Sequence, residues 1–316
     1  MYDQLKVFSG NSNKQFAHDI CSYLNIAPGK IQIHRFSNEN IKVKIEENVR
    51  NDDVFVIQTA SKPLNEHFME LLIILDALKY ASAGRITAVM PYYFYARSDK
   101  KDEPRISITA RLVAELLNTT GAERILTMQL HSPQIMGFSR IPVDQLLPTQ
   151  ILVDHYKEKN LSNAVIAATD VGGAKSAGKF ARFLELPLVI LDKERVGDKE
   201  KVVIKNIIGN AKGKDVLLID DEILSGGSVL EAAKFLKKKH GANRIWAVCT
   251  HGFFSNNVLK KFENSSIEEL VTTDTIPQIN SSHYSKLVVL SVAELFANAI
   301  RAIHEGDSVG ALFHDT

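Results

Sequence analysis

The sequence predicts an α/β protein built from two tandem domains, each with a mainly parallel sheet flanked by helices. Short β-branched runs alternate with longer stretches of helical period, the alternation recurs in both halves, and 316 residues suffice for two cores. In the first half, Val54 to Ile57 is an apolar run of strand length. LNEHFMELLIILDALKYASA follows, with Phe68, Leu71, Leu72, Leu75 and Leu78 at helical spacing. Ile86 to Met90 reads as a strand, ISITARLVAELLNTTGA as a helix ended near Gly121, and RILTMQL as a further strand. The second half repeats the plan. NAVIAATD, PLVILD, DVLLIDD and RIWAVCT read as strands, and GGAKSAGKFARFLEL and SVLEAAKFLKKK as helices. FSRIPVDQLLPT carries two prolines and no clear period, which sets a boundary near residue 146 and domains of 1–146 and 147–316. The closing LSVAELFANAIRAIHEGDSVGALF has a helical stripe and is a candidate to pack back on the first domain.

Composition narrows the function classes. The net charge of +1 gives no broad field for nucleic acid or an anionic membrane, so any anion site must be local. Cys21 and Cys249 sit in apolar segments without metal-ligand spacing and read as reduced core thiols. The N-terminus lacks a basic region followed by a long apolar run, and no stretch nears the roughly 18 apolar residues of a membrane span, so the cytoplasm is the expected address.

The most informative segment is VLLIDDEILSGGSVLEAAKFL. The strand Val216 to Ile219 delivers Asp220 and Asp221 to its C-terminal end, the edge where open α/β sheets bind ligands. Ser225, Gly226, Gly227 and Ser228 then lead into a helix. Small residues let backbone approach an anion, and N–H groups with two hydroxyls at a helix start cradle phosphate. Adjacent carboxylates accept hydrogen bonds from neighbouring ribose hydroxyls. A phosphate beside a diol describes a pentose phosphate. The same residues would also serve as a surface strand end followed by a capping turn.

Other segments carry charge without declaring its use. PYYFYARSDKK sets Arg97, Lys100 and Lys101 beside Asp99 after a strand, which fits a solvated loop or a polyphosphate contact. Asp170, backed by Gly172 and Gly173, suits a hard cation beside phosphate better than His131 does, because Mg²⁺ prefers oxygen. Gly173 to Lys179 has the spacing of a Walker A loop, but Phe180 cannot supply the metal-binding hydroxyl, and Lys175, Lys179 and Arg182 form a helix face. LDKERVGDKEKVVIK holds Lys193 and Arg195 in a stretch charged enough to be an exposed connection.

These segments resemble, in order and over Phe8 to Phe313, the ribose-phosphate pyrophosphokinase family, whose domains share the type I phosphoribosyltransferase fold. The most specific stretch is ITAVMPYYFYARSDKKDEPRISITARLVAELL, supported by FSGNSN, LHSPQIMGFSRIPVDQL, TDVGGAKSAGKFA and DKER. The resemblance implies transfer of the β,γ-diphosphate of ATP to the C1 hydroxyl of ribose 5-phosphate. It further implies ATP contacts at Phe36, Asn38, Asn40, Arg97, Ser98, Asp99 and Lys100, and Mg²⁺ contacts at His131 and Asp170. Ribose 5-phosphate would lie on Asp220, Asp221, Ser225, Gly226, Gly227 and Ser228. Lys193 and Arg195 would close over the triphosphate as catalytic cations. A homo-oligomer of dimers stacked into a hexamer is implied by the same resemblance, as is a regulatory site at Arg50, Ser82 and Ser308, where Gly310 replaces a usual serine.

Three departures fall in the sites. The usual Phe-x-Asp-x-Glu pattern for the adenine is Phe36-Ser-Asn38-Glu-Asn40 here; Ser98 and Lys100 replace Gln and Arg; and Leu224 replaces the first carboxylate of the ribose-phosphate loop. They leave two rival readings open beside the active enzyme. One is a catalytically impaired homologue that regulates an active synthetase by co-assembly. The other is a phosphoribosyltransferase, which would need only one such domain and a base-binding hood.

Overall fold

The chain folds as two compact units in a computed structural model that describes residues 2–196, 201–255, 257–278 and 281–312, with the side chains of 194–203 outside that set. Unit 1 takes Met1–Leu147, Thr275–Pro277 and Ser291–Thr316, and unit 2 takes Pro148–Asp274 and Gln278–Leu290.

Unit 1 runs β1 (Leu5–Ser9), α1 (Lys14–Leu24), β2 (Ile31–Arg35), β3 (Ile41–Ile45), β4 (Asp53–Ile57), α2 (Leu64–Tyr80), β5 (Arg85–Met90), α3 (Thr109–Thr119), β6 (Arg124–Met128) and β7 (Val143–Leu146). Its five-stranded sheet is parallel throughout, in the order β1-β4-β5-β6-β7. Every residue of β4 is buried, which is why Val54 to Ile57 is continuously apolar: a parallel strand is covered on both faces. β2 and β3 form a separate antiparallel hairpin that no sequence expectation named. Its pattern is alternating, with Ile31, Ile33, Ile41, Val43 and Ile45 half-buried and Gln32, His34, Lys42 and Lys44 exposed.

Unit 2 runs α4 (Thr149–Lys157), β8 (Ala164–Ala168), α5 (Ala174–Leu184), β9 (Leu188–Val196), β10 (Lys201–Ile208), β11 (Asp215–Ile223), α6 (Gly227–His240), β12 (Ile245–Gly252), α7 (Val258–Glu263), β13 (Glu269–Thr273) and β14 (Leu287–Leu290). Its sheet order is β10-β9-β8-β11-β12-β13-β14, with only β10 antiparallel. Alternate residues of the central strands feed two cores. Ile166, Ala168, Leu217 and Ile219 pack with α4 and α5, whereas Val165, Ala167, Val216 and Leu218 pack with α6 and α7. Of the stretch Leu191 to Lys205, expected as an exposed connection, the described residues pair instead as the β9–β10 hairpin, from Lys201↔Val196 to Ile208↔Ile190. Its charge density hid a β-branched alternation that continues into Ile204 and Ile207, both packed against the core.

The last helix, α8 (Ala293–Glu305), belongs to unit 1. Phe296 meets Phe16 of α1 edge to face at 5.4 Å, and Arg301 donates to the Tyr23 carbonyl at 3.0 Å. At its C-terminal end, Arg85 bridges the fully buried Asp53 (2.8 Å) and the Ile303 carbonyl (2.9 Å), and His304 Nδ1 lies 2.9 Å from the same carboxylate. Phe296→Ala should therefore destabilise unit 1 by about 3–5 kcal/mol through cavity formation. Chemical denaturation followed by circular dichroism checks this.

Candidate active site

The strand order of unit 2 reverses once. After β8 the chain crosses to β9 on one side, and it returns to place β11 on the other. Such a reversal sends the two following connections apart and opens a crevice at the strands' C-terminal ends. The register shows where. β8 pairs with β11 only as far as Ala168↔Ile219, whereas β11 continues against β12 to Ile223↔Gly252. Asp220 and Asp221 thus lie inside a longer strand than the sequence suggested, at the first positions where the β8 edge has left. Thr169 and Asp170 leave β8 at the same level.

Within this crevice four charged side chains interact. Thr169 Oγ1 donates to Asp220 Oδ2 at 2.9 Å, and the Asp221 N–H donates to Asp220 Oδ1 at 3.0 Å. Burial, followed by the neighbouring Asp221 carboxylate, pushes the Asp220 carboxyl well above the usual range. Asp170 behaves oppositely. Burial would raise it, but the Lys193 ammonium at 2.6 Å and the Gly173 N–H at 2.8 Å outweigh that effect and hold it below the ordinary value. Lys193 Nζ is also 3.5 Å from Ser228 Oγ, so one cation spans the Asp170 turn and the glycine-rich loop. Arg195 lies two residues further along β9, and its side chain is outside the described residues.

The loop is shaped for close approach. Gly226 precedes α6 with φ +70°, and a Cβ there would stand 2.8 Å from Phe262 Cε2 and 3.1 Å from Val258 Cγ1, so only glycine fits without strain. Ser225 and Gly227 are exposed, Ser228 is half-buried, and the helix begins at Gly227. First-turn N–H groups of α6, with no side-chain cap, are available to an anion. Gly173 precedes α5 (Ala174–Leu184), also without a side-chain cap but with an ordinary φ of −75°, which makes Lys175, Lys179 and Arg182 helical and leaves no Walker A loop.

Unit 1 carries the remaining predicted residues. Phe36, Asn38 and Asn40 form the exposed tip of the β2–β3 hairpin, where the Asn40 N–H donates to Asn38 Oδ1 at 3.2 Å and Phe36 stacks edge to face on His34 at 4.7 Å. Arg35 ties that hairpin to Glu66 of α2 at 3.1 Å. Arg97 and Lys100 are exposed on the connection after β5, and Asp99 is half-buried. Ser98 is already engaged: its Oγ accepts the Thr109 N–H at 3.2 Å and lies within hydrogen-bond distance of Thr109 Oγ1 (3.2 Å) and the Ser107 carbonyl (3.3 Å). It latches the charged connection to the start of α3. His131 is exposed, three residues beyond the end of β6.

Sequence reasoning missed several contributors. Thr169 fixes Asp220, and its position beside Asp170 was the available signal. In unit 1 the buried Glu70 accepts from the Asn11 N–H (2.6 Å), Asn11 Nδ2 (2.6 Å) and Gln58 Nε2 (2.8 Å), holding the FSGNSN turn into α1. Nothing in periodicity marks a carboxylate on the core side of a helix for this use.

A divalent cation fits the chemistry present. Asp170, Asp220 and Asp221 offer hard oxygen donors at one sheet edge, and Asp170 already holds a cationic group, the Lys193 ammonium. Among the described residues no cluster of three or more His, Cys, Asp or Glu is arranged to hold a metal. Mg²⁺ binds through one or two carboxylates plus substrate phosphates and water. Nor does any described helix have the length and hydropathy to cross a membrane.

Comparison with known proteins gives the family. Residues 5–121 match the model for the N-terminal domain of ribose phosphate pyrophosphokinase, and residues 195–314 match the phosphoribosyl synthetase-associated domain. The chain is 46% identical to a ribose-phosphate pyrophosphokinase of Bacillus caldolyticus over 98% of both chains. It is also 46% identical to one of Corynebacterium ammoniagenes, over 98% of this chain and 97% of that protein. The crystal structure of phosphoribosylpyrophosphate synthetase from Mycobacterium smegmatis superposes with a TM-score of 0.91 at 37% identity, covering 96% of this chain and all of that one.

The raised Asp220 carboxyl sets a pH dependence. With its folded value above its unfolded one, the folded chain binds more protons between the two, so stability falls as pH rises through that window and stays lower above it. Asp220→Asn removes the penalty. It should raise Tm at pH 8 by about 2–4 °C, the shift that roughly 1 kcal/mol makes at this size, with the gain vanishing in acid. Thermal unfolding across a pH series checks it.

Proposed function

This chain belongs to the ribose-phosphate pyrophosphokinase family, and from that membership we propose how its residues divide the work. It is a transferase of nucleotide biosynthesis. The reaction we assign moves the β,γ-diphosphate of ATP onto the C1 hydroxyl of ribose 5-phosphate, giving 5-phosphoribosyl 1-diphosphate and AMP. The observation that carries the assignment is the opening of the sheet between β8 and β11, with Asp220, Asp221 and the residue 225–228 loop on one lip and Asp170 with Lys193 on the other.

Ribose 5-phosphate sits with its phosphate on the N–H groups at the start of α6 and on the Ser225 and Ser228 hydroxyls. Asp220 and Asp221 accept from the ring hydroxyls and orient C1. ATP is held by unit 1 through Arg97, Asp99 and Lys100, with its base against Phe36 and the amides of Asn38 and Asn40. Ser98 supports that connection from its latch on α3. The C1 oxygen forms its bond to the β-phosphorus as the bond from that phosphorus to the departing AMP oxygen breaks. Lys193 and Arg195 bring fixed positive charge to the transferring group as its negative charge spreads. Mg²⁺ contacts are assigned to Asp170 in unit 2 and, separately, to His131 in unit 1, and the metal would supply charge neutralisation on the polyphosphate. Family membership also supports a homo-oligomer built from dimers, hexameric in its full form, and a cytoplasmic address.

Purified protein given ATP, Mg²⁺ and ribose 5-phosphate should form AMP only when all three are present. Absence of AMP overturns the reading. Lys193→Ala should lower kcat by about 10²- to 10³-fold, the scale of losing one preorganised charge-stabilising group. Ribose 5-phosphate affinity, read by calorimetry, should change far less.

A further inference from the structure

We propose that Ser255 is a positioning residue for the pentose-phosphate loop, acting through the carbonyl of Leu224; this rests on the reading of residues 220–228 given above. The loop leaves β11 at Ile223 and turns into α6 at Gly227, so its path is set by whatever fixes residues 223–226. Phe253, Phe254, Ser255, Val258 and Phe262 do so. The Phe253 and Phe254 N–H groups donate to the Ile223 carbonyl at 3.0 and 3.2 Å. The Leu224 carbonyl then receives two donors from one residue, the Ser255 N–H at 2.8 Å and Ser255 Oγ at 3.1 Å. Two residues on, Gly226 rests against Phe262 and Val258.

The clamp is itself held. Phe254 takes a left-handed φ of 39°, an uncommon conformation for an aromatic residue, and a Cβ on Gly252 would stand 2.5 Å from its ring. Gln278 Nε2 donates to the Gly252 carbonyl at 2.6 Å, and the Ser255 carbonyl accepts the Val258 N–H at 3.3 Å as α7 begins. Of these contacts to residues 223–226, the Ser255 hydroxyl is the side-chain hydrogen bond, and hence the one that substitution can remove while keeping the backbone.

At residue 224 the family's loop opens with a carboxylate, here replaced by Leu224; the Ser255 contact uses the main-chain oxygen of that residue and so holds the loop whatever side chain stands there. Ser255 is not among the residues assigned to the phosphate or the reacting atoms, and its hydroxyl is spent on the loop's backbone, so its effect should appear in pentose-phosphate binding.

Steady-state kinetics of AMP formation and calorimetric titration with ribose 5-phosphate, run on wild type, Ser255→Ala and Ser255→Thr, test this. Losing one hydrogen bond of ordinary net worth should raise the KM and Kd for ribose 5-phosphate by about 3- to 10-fold in Ser255→Ala. The KM for ATP and kcat should stay within about twofold, and Ser255→Thr, which keeps the hydroxyl, should restore most of the affinity. Unchanged ribose 5-phosphate affinity in Ser255→Ala overturns the proposal, as does an equal rise in both KM values or a fall in kcat alone. Should Ser255→Ala fail to fold, Ser255→Cys, of similar size with a weaker donor, must show the same single-substrate effect. A wild-type protein that binds no ribose 5-phosphate and forms no AMP removes the assigned function and this inference together; one that does both isolates the inference.

Discussion

The parting of β8 from β11 is the constraint on which the chemistry of unit 2 depends. A parallel sheet buries its strands on both faces, so carboxylates near a strand centre would be intolerably desolvated. Where the strand order reverses, one edge of β11 loses its neighbour while the other keeps β12. Asp220 and Asp221 occupy that half-supported stretch. They are rigid because β12 still holds the backbone, and reachable because β8 has gone. Asp170 arrives by the same event, at the first turn after β8.

Unit 1 repeats the plan with one difference that alters its use. Its parallel strands run in sequence order, and the pair that follows α1 separates as the β2–β3 hairpin, whereas β9 and β10 join the sheet of unit 2. No reversal opens the unit 1 sheet among the described strands. Its predicted ligand residues lie accordingly on projecting pieces, the hairpin tip and the long connection after β5, rather than at a sheet edge. Two related folds thus place their predicted ligand residues differently, on projecting pieces in one and at an opened sheet edge in the other.

Much of this was legible from residues. The continuous apolar runs of β4, β5, β8 and β11 announced a two-faced parallel sheet, and the Asp-Asp-x-x-x-Ser-Gly-Gly-Ser order announced a strand end followed by a helix N-terminus. Less visible were elements whose signal is pairing rather than period. In the β9–β10 hairpin charge masked the alternation, whereas β2–β3 alternates openly in five-residue strands too short to stand out from their surroundings. The hydrogen bonds that fix the site were also hidden, since Thr169, Glu70 and Ser255 act on residues distant in sequence or through backbone atoms. Ser98 shows the limit from the other side: a position matching a nucleotide-binding motif spends its hydroxyl on capping α3.

The ion pair between Lys193 and Asp170 has a consequence for which ligands are admitted. Three carboxylates, Asp170, Asp220 and Asp221, share the crevice with the Lys193 ammonium, while the Arg195 side chain lies outside the described residues. Carboxylates repel an approaching polyphosphate, and a divalent counterion on that polyphosphate would turn the repulsion into attraction. Among the described groups, then, the crevice favours an anion that brings its counterion with it, and charge pairing weighs on the choice of substrate as well as shape.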